Sequence, residues 1–149
     1  CLSRGLGDVY KRQLPYQPLF IKPNKDELEV MFNTTVSSDQ DVVKYGKEIL
    51  KKGAQSVIIS LGGDGAVYVD EQQSIKAVNP QGKVINTVGS GDSTVAGMVA
   101  GLESGLSIQD AFKQAVASGT ATAFEEDLAT RDAIEKIKSQ VTVSVLDGE

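Results

Sequence analysis

From Leu14 onward the apolar residues fall into short runs separated by turn signals, and the period of the runs switches between helix-like and strand-like. Leu19-Phe20-Ile21 is a short apolar strand that ends at Lys22-Pro23-Asn24. Asn24 can cap a helix, with Glu27 three residues later as in a capping box, and that helix runs to about Phe32. Asp39 to Lys52 is a second helix, with Val42, Val43, Ile49 and Leu50 on a recurring face and Gly53 as its stop. Ser56-Val57-Ile58-Ile59-Ser60-Leu61 is a buried strand. Gly62-Gly63-Asp64-Gly65 turns the chain, Ala66-Val67-Tyr68-Val69 returns, and Ile75-Lys76-Ala77-Val78 pairs beside it. A helix rich in Ala and Gly then runs from about Ser90 to about Ser104. Ser107 caps a helix through about Phe124, and Thr130 caps the last one, Arg131 to about Gln140. Val141 to Val145 alternates as a final strand. Strands separated by crossover helices predict an α/β fold, a three-layer α/β/α sheet with ligands at the carboxyl ends of the strands.

Composition narrows the chemistry. The 149 residues suffice for one domain with a core, and the net charge of −5 argues against a nucleic-acid partner. It does not argue against small phosphates, which backbone N–H groups hold even in an acidic protein. No apolar run approaches the roughly 18–20 residues of a membrane span, and no secretory signal is expected. The single cysteine, Cys1, excludes an internal disulfide and makes the cytoplasm the expected compartment. The absence of histidine removes Ser-His-Asp and Cys-His catalysis and His-based zinc sites, so proton transfer falls to Asp, Glu, Lys, Tyr or the substrate. Residues 1–13 fit nothing that follows, and Asp8 to Gln13 looks like a translated sequencing adapter. They are expected to be a disordered, non-native terminal scar, with residues 14–149 as a fragment of a longer protein, which the resemblance described below implies to be the C-terminal half of its domain.

The most informative stretch is Asn86 to Val99, Asn-Thr-Val-Gly-Ser-Gly-Asp-Ser-Thr-Val-Ala-Gly-Met-Val. Gly89 and Gly91 let the backbone turn tightly around Ser90, and the following helix points its positive end at the same spot. Asp92 sits in that turn, where a carboxylate can take a proton from a hydroxyl attacking a phosphoryl group. The plainer reading is an ordinary loop with an aspartate where helices favour one. Lys22 to Glu27, Ser60 to Gly65 and Gly89 to Asp92 all fall at carboxyl ends of strands and are expected to face one crevice. No Gly-x4-Gly-Lys-Ser/Thr and no supporting Gly-x-Gly-x-x-Gly occurs, which excludes the two common phosphate motifs.

On these residues the chain resembles the ribokinase-like (PfkB-type) carbohydrate kinases, from about Leu14 to the C-terminus. Asn86–Val99 matches that family's C-terminal signature, Lys22-Pro23-Asn24-Lys25-Asp26-Glu27 looks like its Asn-x-x-Glu motif, and Ser60 to Ala66 resembles its nucleotide-binding turn. The resemblance implies ATP and Mg²⁺ as cofactors. Asp92 would be the general base, and Gly89, Ser90 and Gly91 the anion hole. Asn24 and Glu27 would position Mg²⁺, largely through water. Lys22 would touch nucleotide phosphates, with Ser60, Gly62 and Gly65 lining the nucleotide. Each has a bland counterpart: an exposed lysine, a capping-box glutamate, or hairpin glycines. Many relatives carry Asp where this chain has Asn86, and losing that charge puts a potassium site in doubt, so the resemblance carries over no prediction of one.

The tail from Ala121 to Thr130 is similar to that of the family's bacterial 1-phosphofructokinase branch, which implies a phosphorylated ketohexose as acceptor, fructose 1-phosphate above others. Tagatose-6-phosphate kinase and a non-catalytic nucleotide-binding module are the alternatives. In this family the sugar site and lid come mostly from the N-terminal half, so the sugar cannot be read here. The isolated chain is expected to be inactive and poorly stable. A lid-mediated homodimer of the full-length protein fits the resemblance.

Overall fold

The computed structural model describes residues 20–82, 84, 85, 87, 89–125 and 129–146. The readings made on residues 1–13, Leu19, Asn86 and Glu126–Leu128 lie outside the described residues. Among the described residues are four strands, β1 (Ser56–Ser60), β2 (Ala66–Asp70), β3 (Ser74–Val78) and β4 (Thr142–Val145). They form one sheet in the order β1-β2-β3-β4. β1 and β2 are antiparallel, with Ser56 opposite Asp70 and Ser60 opposite Ala66. A short 3-10 turn, Gly62–Asp64, joins them. Parallel bridges run from Ile21 to Val57 and from Asn24 to Ser60. Ile21, expected in a short strand, pairs with β1 as a single bridge rather than in a regular strand.

The chain divides into two compact units. The first takes in the described residues of Cys1–Gly62, Ala66–Lys76 and Val145–Glu149. It contains α1 (Lys25–Phe32) and α2 (Asp39–Lys51). The capping box predicted at Asn24 and Glu27 is present, and Asn33 ends α1 in the left-handed region at φ 49°. The Ser38 side chain caps α2, accepting from Asp41 N at 3.2 Å. Val42, Gly46 and Ile49 form the buried face of α2, with Val43 and Leu50 partly buried at its margins. That face lies close on the hairpin: a Cβ on Gly46 would come within 2.9 Å of Val69 Cγ2. Leu28, Val36, Val57, Ile59, Val67 and Val69 complete an aliphatic core. β1 and β2 are buried along all but their last residues, which is why their sequences read as continuous apolar runs rather than alternating ones.

The second unit is Gly63–Gly65 with the described residues of Ala77–Ser144. Its helices are α3 (Ser90–Glu103), α4 (Ile108–Ala123) and α5 (Arg131–Lys138). Ser107 and Thr130 cap α4 and α5 as predicted. α5 ends two residues before the predicted Gln140, with Ser139 as its C-cap. α3 and α4 meet along small residues: a Cβ on Gly97 would sit 3.0 Å from Ala115 Cα, and one on Gly101 2.9 Å from Ala111 Cα. Their backbones therefore approach more closely than larger side chains would permit. α5 packs on α4, whose middle and C-terminal turns are almost wholly buried.

Candidate functional site

In the first unit, the segment carrying Lys22 and Asn24 runs beside the carboxyl end of β1. Ser60 N donates to Pro23 O at 3.0 Å, and Asn24 bridges to Ser60. Asn24 Oδ1 accepts from Glu27 N at 2.7 Å, while Glu27 Oε2 accepts from Asn24 N at 3.2 Å. The structure thus brings Asn24, Glu27 and Ser60 together at one strand end. The capping reading of Glu27 is realised. Lys22 is half-buried and Gly62 exposed, the latter facing open space.

In the second unit, Gly65 is buried at φ +97°, and a Cβ there would run into the Ala77 carbonyl oxygen. Its own neighbouring strand demands glycine at this position, a nearer cause than a ligand. Gly89 opens α3 at φ 80° and supplies no side-chain cap. Ser90 does not cap the helix either: its hydroxyl turns back to donate to Thr87 O at 2.8 Å. Ser90 N donates to Thr87 O at 3.3 Å, and the N–H groups that follow it in the first turn of α3 receive no side-chain cap from the N-cap residue, the arrangement that favours an anion. Asp92 lies in this first turn and is exposed rather than packed against apolar neighbours.

What sequence reasoning missed is the support behind that turn. The Thr122 hydroxyl on α4 donates to Ser93 Oγ at 2.9 Å. One turn earlier, a Cβ on Gly119 would run into Thr94 Oγ1 and come within 3.0 Å of Ser90 O. The Thr120 hydroxyl donates to Asn79 Oδ1 at 3.0 Å, and Ile85 N donates to Ala123 O at 2.8 Å. The strand-to-α3 connection is thereby tied to the end of α4. The available signal was the run Ser118-Gly119-Thr120-Ala121-Thr122, where hydroxyls interrupt an otherwise apolar helix and stay buried. Buried hydroxyls are nearly always hydrogen-bonded, so such a run asks for partners.

Among the described residues no three His, Cys, Asp or Glu side chains cluster to hold a metal ion. No described helix is long and apolar enough to cross a membrane. Burial, and then the hydrogen bond that Tyr68 donates to Asp70 Oδ2 at 2.9 Å, push the Tyr68 phenol well above its usual range. That group belongs to β2 of the first unit.

Comparison with known proteins places this geometry in context. The sequence matches the pfkB family carbohydrate kinases over residues 5–134. It is 39% identical over 140 residues to a Bacillus subtilis 1-phosphofructokinase, covering 94% of this chain and 46% of that protein. It is also 39% identical over 134 residues to a Bacillus licheniformis D-tagatose-1-phosphate kinase, covering 89% of this chain and 44% of the relative. A crystal structure of a Staphylococcus aureus protein, assigned provisionally as a phosphofructokinase, superposes with a TM-score of 0.92 at 79% identity over 95% of this chain and 46% of its own. The chain spans about half the length of the curated relatives it matches. A ribokinase-like fold and a signature turn built on Gly89 to Asp92 agree with a family match across most of the sequence: the chain belongs to the pfkB family of carbohydrate kinases.

Proposed function

We propose that these residues are the nucleotide-binding and catalytic C-terminal half of an ATP-dependent phosphosugar kinase whose acceptor is fructose 1-phosphate. The observation that carries this reading is the first turn of α3, where N–H groups without a side-chain cap and an exposed carboxylate share one helix start in a chain of this family. Asp92 takes the proton from the acceptor hydroxyl. The freed oxygen attacks the γ-phosphorus, the bond from that phosphorus to the β–γ bridging oxygen breaks, and ADP leaves. Backbone N–H groups of Gly89, Ser90 and Gly91 hold the charge on the moving phosphoryl group.

Lys22, Ser60, Gly62 and Gly65 line the nucleotide in this reading. The oxygens of Asn24 and Glu27, set together by the capping box, suit a hard cation that keeps most of its waters. Mg²⁺, when bound there, neutralises phosphate charge. The enzyme works in the cytoplasm on a soluble phosphosugar, and the full-length protein forms a homodimer.

A second acceptor, a tagatose phosphate, is favoured by the similarity to the D-tagatose-1-phosphate kinase. Assay of the full-length protein on fructose 1-phosphate, fructose 6-phosphate and both tagatose phosphates separates the two. In the full-length protein, Asp92→Asn should lower kcat by about 10²–10⁴-fold, the usual worth of a general base, while ATP still binds. Near-normal turnover in that variant would end the assignment of Asp92, and a wild-type protein inactive on every phosphosugar would leave only the non-catalytic nucleotide-binding reading.

A further inference from the structure

We propose that Thr122 and Ser93 are positioning residues for the signature turn: their hydroxyl pair locks the first turn of α3 to the last turn of α4 and so aims the N–H groups beside Asp92. The inference rests on the kinase reading above, because only a reacting phosphoryl group gives that aim a catalytic consequence.

The geometry is a two-point clamp. Positions 119 and 122 are one turn apart on α4 and so share a face. At the first point, Gly119 has room only for hydrogen against Thr94 Oγ1 and Ser90 O, which brings backbone against backbone. At the second, Thr122 Oγ1 lies 2.9 Å from Ser93 Oγ, and Thr122 is buried. Ser93 immediately follows Asp92, and its N–H makes the bond to Gly89 O at 2.9 Å that closes the first turn. Thr94, the next residue, donates its hydroxyl to Ser90 O at 2.9 Å. A side chain on Gly89 would ordinarily hold a helix start of this kind, and here none exists. The restraint on the turn comes instead from behind, through α4, which leaves the front clear for a ligand. An isolated hydroxyl pair would be modest support. This one acts on a turn whose N–H directions matter, and displacements of about 1 Å at a reacting centre cost up to 10²-fold in rate.

The test uses the full-length kinase carrying Thr122→Val, which keeps the shape and removes the hydroxyl, Thr122→Ser, which restores it, Ser93→Ala, and the Thr122→Val/Ser93→Ala pair. Thr122→Val and Ser93→Ala should each lower kcat about tenfold with KM for ATP and sugar phosphate nearly unchanged. The double variant should be no worse than the more damaged single one, as expected when two groups act through one contact. Thr122→Ser should recover most of the turnover. Amide hydrogen exchange at residues 91–93 should accelerate in Thr122→Val while exchange in β1 stays as it was. A shift in Tm with kcat unchanged would show the pair to be merely structural and overturn the proposal, and so would additive losses in the double variant. The exchange measurement separates this idea from the kinase reading. If the wild-type protein phosphorylates no sugar, the kinase reading falls, and with it the catalytic part of this proposal. Unchanged exchange at residues 91–93 in an active enzyme removes the clamp alone.

Discussion

The two units of this chain are held together in opposite ways. The first relies on bulk: Leu28, Ile49, Val57, Ile59, Val67 and Val69 fill one aliphatic core. Each buried methylene there contributes on the order of 0.8 kcal/mol, and a lost one leaves a small cavity that neighbours partly close. The second relies on proximity. Gly97, Gly101 and Gly119 let α3 and α4 approach at near-backbone distance, and the Thr122–Ser93 hydroxyl pair and the Gln114 amide donating to Gly97 O make bonds across the seam. There is little side-chain volume to lose, but almost no space to gain. The first design tolerates subtraction and the second resists addition. Placing the signature turn on the second makes mechanical sense, because close backbone contact permits less adjustment than a core filled by aliphatic side chains.

The contrast is open to direct attack. Gly101→Val, set against Ala111, should cost about 3 kcal/mol of stability in the full-length protein, since overpacking forces a backbone shift. Denaturant unfolding reads it. Ile49→Val, fully buried in the first unit, should cost about 1 kcal/mol. Were the order of these two reversed, the distinction drawn between the units would be wrong.

A finer probe is Tyr68→Phe, worth about 1 kcal/mol near neutral pH through the lost hydrogen bond to Asp70. The same residue predicts a pH dependence. Its phenol is raised above the ordinary 10.0 by burial and by the Asp70 carboxylate. The unfolded chain therefore releases that proton first. The stability linked to Tyr68 is complete below the unfolded value and drains as pH climbs beyond it. Unfolding midpoints compared between pH 9 and 11 should fall more steeply for the wild-type protein than for Tyr68→Phe. Parallel slopes would mean that the phenol is not sequestered.

Much of this was legible without coordinates, and the legible parts are local. The caps at Asn24, Ser107 and Thr130 are decided by a side chain and an N–H three residues away, so sequence spacing alone exposes them. The turn at Gly62 to Gly65 and the return of β2 were readable because two apolar runs flank a glycine-rich break. The antiparallel pairing of β1 with β2 follows from the same break, because a short turn between them permits only a hairpin. Glu27 was readable as a capping partner or a cation partner, and the capping box satisfies the first without deciding the second. A Cβ on Gly65 would meet the Ala77 carbonyl oxygen, a contact that no local rule exposes.

The residues alone determined the alternation of elements, the start of each helix and the chemical signature from Gly89 to Asp92, because these depend on spacings of a few residues. Only the tertiary structure decided which helix stands behind that signature. Thr122 and Ser93 lie 29 residues apart, and Lys76 and Asp39, an ion pair at 2.9 Å, lie 37 apart. Contacts of that reach form when packing brings separate helices and strands together, and one hydroxyl or one missing methyl in the chain does not announce its partner.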